Sequence, residues 1–146
     1  MKWVRSNVSQ QLQSTFKWPI TIYYEDTDAG GVVYHSNYLK FFERARTEML
    51  RAQGVSQFTL LEQEIGFVVR HIDIDYIQGA KLDENLNVLT SIVNLRKASI
   101  TFCQELVNLD GRILCKAMVK VACVNITKMK PQAIPSSIMS GFASVS

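Results

Sequence analysis

One stretch of this chain carries a helical period long enough to organise a core, and most of the chain after it alternates like strand. From Ser36 to Gly54, Tyr38, Phe41, Phe42, Ala45, Met49 and Ala52 recur at spacings of three and four. Lys40, Glu43, Arg44, Glu48 and Arg51 fill the other side, so the pattern is that of an amphipathic helix laying one stripe on a core. Ser36 stands where an N-cap belongs and Gly54 where a helix stops. A shorter helical turn is expected at 57–64.

Around this helix the period is two. Pro19 to Tyr24 (PITIYY) reads as a first strand, with Tyr23 and Tyr24 packing at its end. After Gly66, Ile72, Ile74 and Tyr76 alternate with His71, Asp73 and Asp75, as in a half-buried strand; His71 reads as a surface or interface residue. Leu86 to Leu95 and Ser99 to Leu109 form two more strands, and Arg112 to Asn125 the last. With Asp110-Gly111 as a two-residue hairpin loop, Leu109 faces Arg112 and Leu106 faces Cys115. Ile113, Cys115, Ala117, Val119, Val121 and Cys123 then share one apolar face with Ile100, Phe102 and Leu106, against the helix. No two cysteines are cross-strand partners in that register, which disfavours a disulfide. The fold class is α+β: about five antiparallel strands wrapped around one long helix. Such a sheet leaves an edge wanting cover, which favours self-association.

The chain's 146 residues suit a single domain, placed at 17–146 behind a flexible N-terminal extension at 1–16. Hydrophobic residues make up 47% and charged ones 20%, the balance of an ordinary globular protein. No apolar run approaches the roughly 20 residues that cross a bilayer, and the N-terminus lacks the apolar region of a secretion signal. Three cysteines without CxxC spacing read as core residues in a reducing compartment, the cytoplasm. A net charge of +3 with scattered basic residues gives no nucleic-acid face. Two histidines distant in sequence from those cysteines give no zinc signature.

The chemistry concentrates in residues 23–38, YYEDTDAGGVVYHSNY. Asp26, Asp28 and Gly30 faintly suggest a calcium loop, but the twelfth position from Asp26 is Asn37 where a bidentate Glu is needed. No GxxxxGK follows the glycines, so a phosphate-cradling loop fails too. Asp and Gly are also ordinary turn residues, and a plain turn is one reading. The other comes from what the turn leads to. Two glycines let a ligand approach the backbone, and the helix start offers unpaired N–H donors and a positive dipole end suited to an oxyanion. A carboxylate beside it, Asp28, is fit to act as nucleophile or base. His35 in the same cleft can polarise a carbonyl or protonate a leaving group. Together these parts describe acyl transfer, most simply hydrolysis, with no metal and no cofactor.

Thr27-Asp28-Ala29-Gly30-Gly31-Val32-Val33-Tyr34-His35-x-x-Tyr38, followed by FFERARTEMLR, resembles the hotdog-fold thioesterases of the 4-hydroxybenzoyl-CoA thioesterase type. It is most similar to their YbgC-like subgroup, acyl-CoA thioesterases associated with the bacterial Tol–Pal system. The likeness runs from about Trp18 to Pro135. It implies a helix wrapped by an antiparallel sheet, dimers joined sheet edge to sheet edge, and tetramers built from them. The family's catalytic aspartate falls on Asp28. Its histidine falls on His35, whose backbone N–H takes the oxyanion position, with Tyr34 beside it in a positioning place. The basic turn that meets coenzyme A phosphates in the family falls on Arg96 and Lys97, and Ala98 departs from a third basic residue. The implied activity is hydrolysis of short- or medium-chain acyl-CoA, with acyl carrier protein as a possible substrate carrier. Two alternatives stand beside it: a hotdog dehydratase that moves protons, and a non-catalytic acyl-carrier or partner-binding module.

Overall fold

The computed structural model describes residues 2–5 and 14–143. In chain order these form β1 (Lys2–Arg5), β2 (Ser14–Thr21), a 3-10 turn (Tyr24–Asp26), α1 (Asn37–Ala52), α2 (Gln57–Glu62) and β3 (Ile65–Tyr76). Then come β4 (Asn85–Leu95), β5 (Ser99–Val107), β6 (Ile113–Asn125), β7 (Lys130–Pro131) and α3 (Ser136–Ala143). The strands make one antiparallel sheet in the order β1-β2-β4-β5-β6-β3, with the short β7 beside β6. This is the hotdog arrangement, α1 packed on the inner face of a curled sheet.

The helix obeys its sequence closely. Tyr38, Phe41, Phe42, Ala45 and Met49 are each 3% exposed or less. Ser36 holds the cap position without a side-chain cap hydrogen bond. Gly54 ends the helix at φ +79°, a left-handed conformation that suits glycine, and its N–H donates to the Arg51 carbonyl.

Three expectations need correction. The first strand starts at Ser14 rather than Pro19, because Phe16 is fully buried and stacks on Trp18 at 6.5 Å. It stops at Thr21, and Tyr24 enters the 3-10 turn, so Tyr23 and Tyr24 are 62% and 83% exposed rather than packed. Within the stretch placed as the 1–16 extension, β1 pairs with β2 from Arg5↔Ser14 to Lys2↔Lys17; residues 1 and 6–13 lie outside the described residues.

The β5–β6 turn is longer than two residues. Leu106 does face Cys115, but Val107 faces Ile113, and Leu114 is the extra residue of a bulge. Asn108, not Leu109, meets Arg112, and the Asn108 side-chain oxygen accepts the N–H groups of Asp110 and Arg112. That local polar closure wins over the Asp-Gly signal. Finally, α3 carries Ile138 and Phe142 into the core at 3% and 0% exposure, although its sequence, SSIMSGFA, has little helical signature.

One polar tether crosses the apolar layer between helix and sheet. Gln104 and Thr90 are fully buried. The Gln104 amide N–H groups donate to the Phe42 carbonyl of α1 and to Thr90 Oγ1, both at 2.9 Å. Arg46 Nη1 donates to Gln104 Oε1 at 2.9 Å, so both ends of the amide are satisfied. Burial holds the Arg46 guanidinium below its ordinary pKa.

All three cysteines are free thiols. Burial raises Cys115 to about 12 from its ordinary 9.0, and moves Cys103, Cys123 and Tyr38 the same way. An unfolded thiol ionises first, so between about pH 9 and pH 12 the unfolded chain binds fewer protons than the folded one. Stability therefore falls as pH rises through that window. Denaturant titrations at successive alkaline pH values should show a shallower decline in Cys115→Ala than in the parent. Parallel declines would remove Cys115 from this role.

Candidate active site

Residues 26–34 fold back on themselves as a tight hairpin. Thr27 bridges to Val33, the Asp28 N–H donates to the Val32 carbonyl at 3.0 Å, and the Tyr34 N–H donates to the Asp26 carbonyl at 3.1 Å. Gly31 makes the reversal at φ +75°, where a side chain is strained even though the space around it is open. The returning arm is stitched to residues 80–82: Val33 N–H to the Ala80 carbonyl at 2.9 Å, and Leu82 N–H to the Gly31 carbonyl at 3.2 Å.

The hairpin separates the two aspartates by role. Asp26 is 5% exposed, and its carboxylate accepts the Tyr23 N–H and the Asn37 side-chain amide, both at 2.8 Å. It joins the end of β2 to the start of α1. Asp28 is exposed, and its carboxylate accepts only the Gly30 N–H, at 2.9 Å, among the described residues. The motif's second acid is thus the one left open for chemistry.

His35 sits immediately before α1. Its carbonyl accepts the Tyr76 hydroxyl at 2.9 Å, and its ring lies 4.5 Å from that of Tyr34 and 6.3 Å from that of Tyr76. No acceptor among the described residues takes the His35 N–H. Tyr34 differs: its N–H is bonded to the Asp26 carbonyl and its own carbonyl accepts the Asn37 N–H. Of the two expected oxyanion or positioning residues, only His35 offers an amide, and Tyr34 is left to contact the imidazole. Beneath them the Tyr38 hydroxyl accepts the Ala80 N–H at 3.0 Å. A cleft of about 210 Å³ opens here between His35, Tyr38 and Tyr76.

Asp28 lies one residue from the Thr27–Val33 bridge on the tip side, and His35 two residues after the bridge, in the turn that leads into α1. A larger cleft, about 460 Å³, lies between β2, β4 and the Phe41–Arg44 flank of α1, and includes neither residue.

Arg96 and Lys97 occupy the exposed β4–β5 turn, where the Arg96 N–H donates to the Ser99 carbonyl. Tyr76, which holds His35, pairs with Cys115, whereas Ser99 pairs with Ala122. Seven residues of β6 separate these rungs, about 23 Å. Within one chain the basic turn and the His35 end of the sheet lie at opposite ends. His71 is exposed on β3 opposite Lys120. Among the described residues no cluster of three His, Cys, Asp or Glu is placed to hold a metal, and no helix is long and apolar enough to cross a membrane.

Two partners of the site were not legible. Tyr76 is one member of a strand alternation, and Asn37 looks like any first-turn residue. Only tertiary structure brings the Tyr76 hydroxyl to a carbonyl 41 positions away.

The family model of the thioesterase-like superfamily matches residues 23–142, so both the hairpin and α1 fall inside it. An "acyl-CoA thioesterase YbgC" of Haemophilus influenzae is 52% identical over 132 residues, spanning 90% of this chain and 96% of that protein. An "acyl-CoA thioester hydrolase YbgC" of Escherichia coli O6:H1 is 49% identical over 127 residues, spanning 87% of this chain and 95% of the relative. The crystal structure of a probable thioesterase from Bartonella henselae superposes with a TM-score of 0.77 at 36% identity, covering 83% of this chain and 99% of that one. The chain belongs to the thioesterase-like superfamily.

The two aspartates give opposite expectations. Asp28→Asn should fold with unchanged stability and lose at least ~10²-fold in turnover, as for a missing base or nucleophile. Asp26→Asn turns an amide toward two donors and should lower stability by about 1–3 kcal/mol. Urea midpoints and thioester hydrolysis on both variants check this. Normal turnover by folded Asp28→Asn would show that the wrong acid has been chosen.

Proposed function

We propose that this chain hydrolyses acyl-CoA thioesters of short or medium chain length to free acid and coenzyme A. The observation that carries the reading is the unbonded His35 N–H at the start of α1, just after the hairpin that presents the exposed Asp28 carboxylate. A thioester oxygen received by that N–H meets the positive end of the helix, which stabilises charge as the carbonyl carbon becomes tetrahedral. Asp28 then takes a proton from the water that attacks the carbon, or attacks it directly to give an acyl-aspartyl anhydride that water hydrolyses to the free acid and the restored carboxylate. The C–S bond breaks, the sulfur leaves as thiolate, and a proton returns to it, with the His35 imidazole as the nearest donor to the helix start. The Tyr76 hydroxyl fixes the His35 carbonyl and so the conformation from which its amide is presented. The free thiols of all three cysteines support a cytoplasmic setting.

The working unit in this reading is a dimer, or a tetramer of two dimers. β3 is the last strand of the sheet and has one unpaired edge among the described residues. Antiparallel pairing of two β3 edges sets the Tyr76 end of one subunit beside the Ile65 end of its neighbour, toward which the Arg96–Lys97 turn projects. The basic turn then serves coenzyme A phosphates across the interface, which removes the ~23 Å separation found within one chain.

Release of free thiol from a panel of acyl-CoA and acyl-carrier-protein substrates tests the activity; silence across the panel would end the thioesterase reading. The cross-subunit arrangement is tested by mixing. Arg96→Ala/Lys97→Ala should raise KM for acyl-CoA more than it lowers kcat, and should lose part of the salt dependence expected for contacts screened over about 8 Å. Mixed dimers of that variant with Asp28→Asn contain one site with both an intact Asp28 and an intact neighbouring turn. They should recover the parental KM. A KM that stays high in the mixture would place the turn's action within its own subunit.

A further inference from the structure

Arg46 is the only basic residue of α1 that is not exposed; Lys40, Arg44 and Arg51 all face water. Its one bond to a described residue is to the neutral amide of Gln104. No carboxylate among the described residues lies within ion-pair distance of it, and Glu43, one turn earlier, is exposed. A half-buried guanidinium with one neutral acceptor and, beyond that, only the longer-range charge of Glu43 has N–H groups left to donate, and an anion completes it best. Beside Arg46 is a small cavity of about 30 Å³, walled by Leu50, Phe67, Phe102 and Phe142, whose other polar liner is Gln57. Its two polar liners are the fewest that hold a buried water.

The cavity is joined to the reaction centre by an apolar strip. On the inner face of β3, Tyr76, Ile74, Ile72 and Val69 follow one another opposite Cys115, Ala117, Val119 and Val121. Tyr76 and Val69 remain 49% and 45% exposed, and the two isoleucines are half-buried. The strip begins at the hydroxyl that holds His35, passes the level of Gln104, which Arg46 meets, and reaches the near wall of the cavity at Phe102, opposite Val119. From the Cys115 rung to the Val119 rung is about 13 Å, the length of an extended chain of roughly ten carbons.

We propose that Arg46 receives the far end of the acyl group, and that the preferred substrates are medium-chain acyl thioesters carrying a terminal carboxylate. The proposal rests on the thioesterase reading of Asp28 and His35 and names the substrate class for that site. The methylenes lie along the β3 strip, and the carboxylate accepts from the free guanidinium N–H groups with the Gln57 amide as a second donor. Gln104 acts here as a positioning residue, since its oxygen fixes the guanidinium plane.

The test compares kcat/KM for decanoyl-CoA and for the mono-CoA thioester of decanedioic acid, on the parent, Arg46→Gln and Arg46→Lys. The parent should favour the carboxylated substrate by about tenfold or more, chiefly through KM. That ratio should fall to near one in Arg46→Gln and recover in part in Arg46→Lys. A parental ratio near one, or a ratio unchanged by Arg46→Gln, overturns the assignment while leaving the thioesterase reading intact. Failure of the parent to hydrolyse either substrate, or any other in the acyl-CoA panel, overturns that reading itself. Should Arg46→Gln not fold, inhibition of the parent by free decanedioate and decanoate decides: stronger inhibition by the diacid is expected, and equal inhibition overturns the proposal.

Discussion

The buried carboxylate of Asp26 is the point from which the rest of the site is built. Its two oxygens hold the backbone at the end of β2 and the side chain of Asn37 in the first turn of α1. Its carbonyl takes the Tyr34 N–H on the return arm of the hairpin. One residue thereby sets the distance between strand and helix that the nine-residue hairpin must bridge. With both posts fixed, a left-handed Gly31 and an Asp28–Gly30 turn bond determine what projects from the loop. The exposed Asp28 carboxylate and, just past the hairpin, the unbonded His35 amide are what this framework presents.

The helix that carries this loop is fixed at a second place. A long helix on an apolar sheet is free to slide by small amounts, because dispersion contacts change little over a fraction of an ångström. The Gln104 amide removes that freedom. It reaches from a central strand to one particular carbonyl of α1, and a shifted helix costs a fully buried amide one of its bonds. The apolar stripe supplies the adhesion and the amide supplies the position.

Local signals were legible in the sequence and distant ones were not. The α1 period, the Gly54 stop and the alternation of β3 to β6 follow from residues adjacent in sequence, and the structure matches them closely. Within Asp-Thr-Asp, the turn holds Asp26 and leaves Asp28 exposed, a difference of burial and not yet of chemistry. The β5–β6 loop went another way when Asn108 closed the turn with its own side chain, a competition that a dipeptide signal cannot weigh. β1 depends on a neighbouring strand for its hydrogen bonds, and α3 on a core already formed to receive Phe142. Tyr76 and the separation of Arg96 from the hairpin are properties of strand register alone, which no short window contains.

The Tyr76 hydroxyl bond ties the His35 peptide to an outermost strand of the sheet. Outer strands open more readily than inner ones, since only one side is held by backbone partners. Fraying of that margin therefore reaches the peptide that, on the proposed mechanism, would have to stay still while charge develops against it. In the proposed dimer, a neighbour zipped onto the margin would damp the motion at its source. Quaternary structure would then act as a brake on local breathing, and the rigidity of a dipole would be borrowed from outside the chain that owns it.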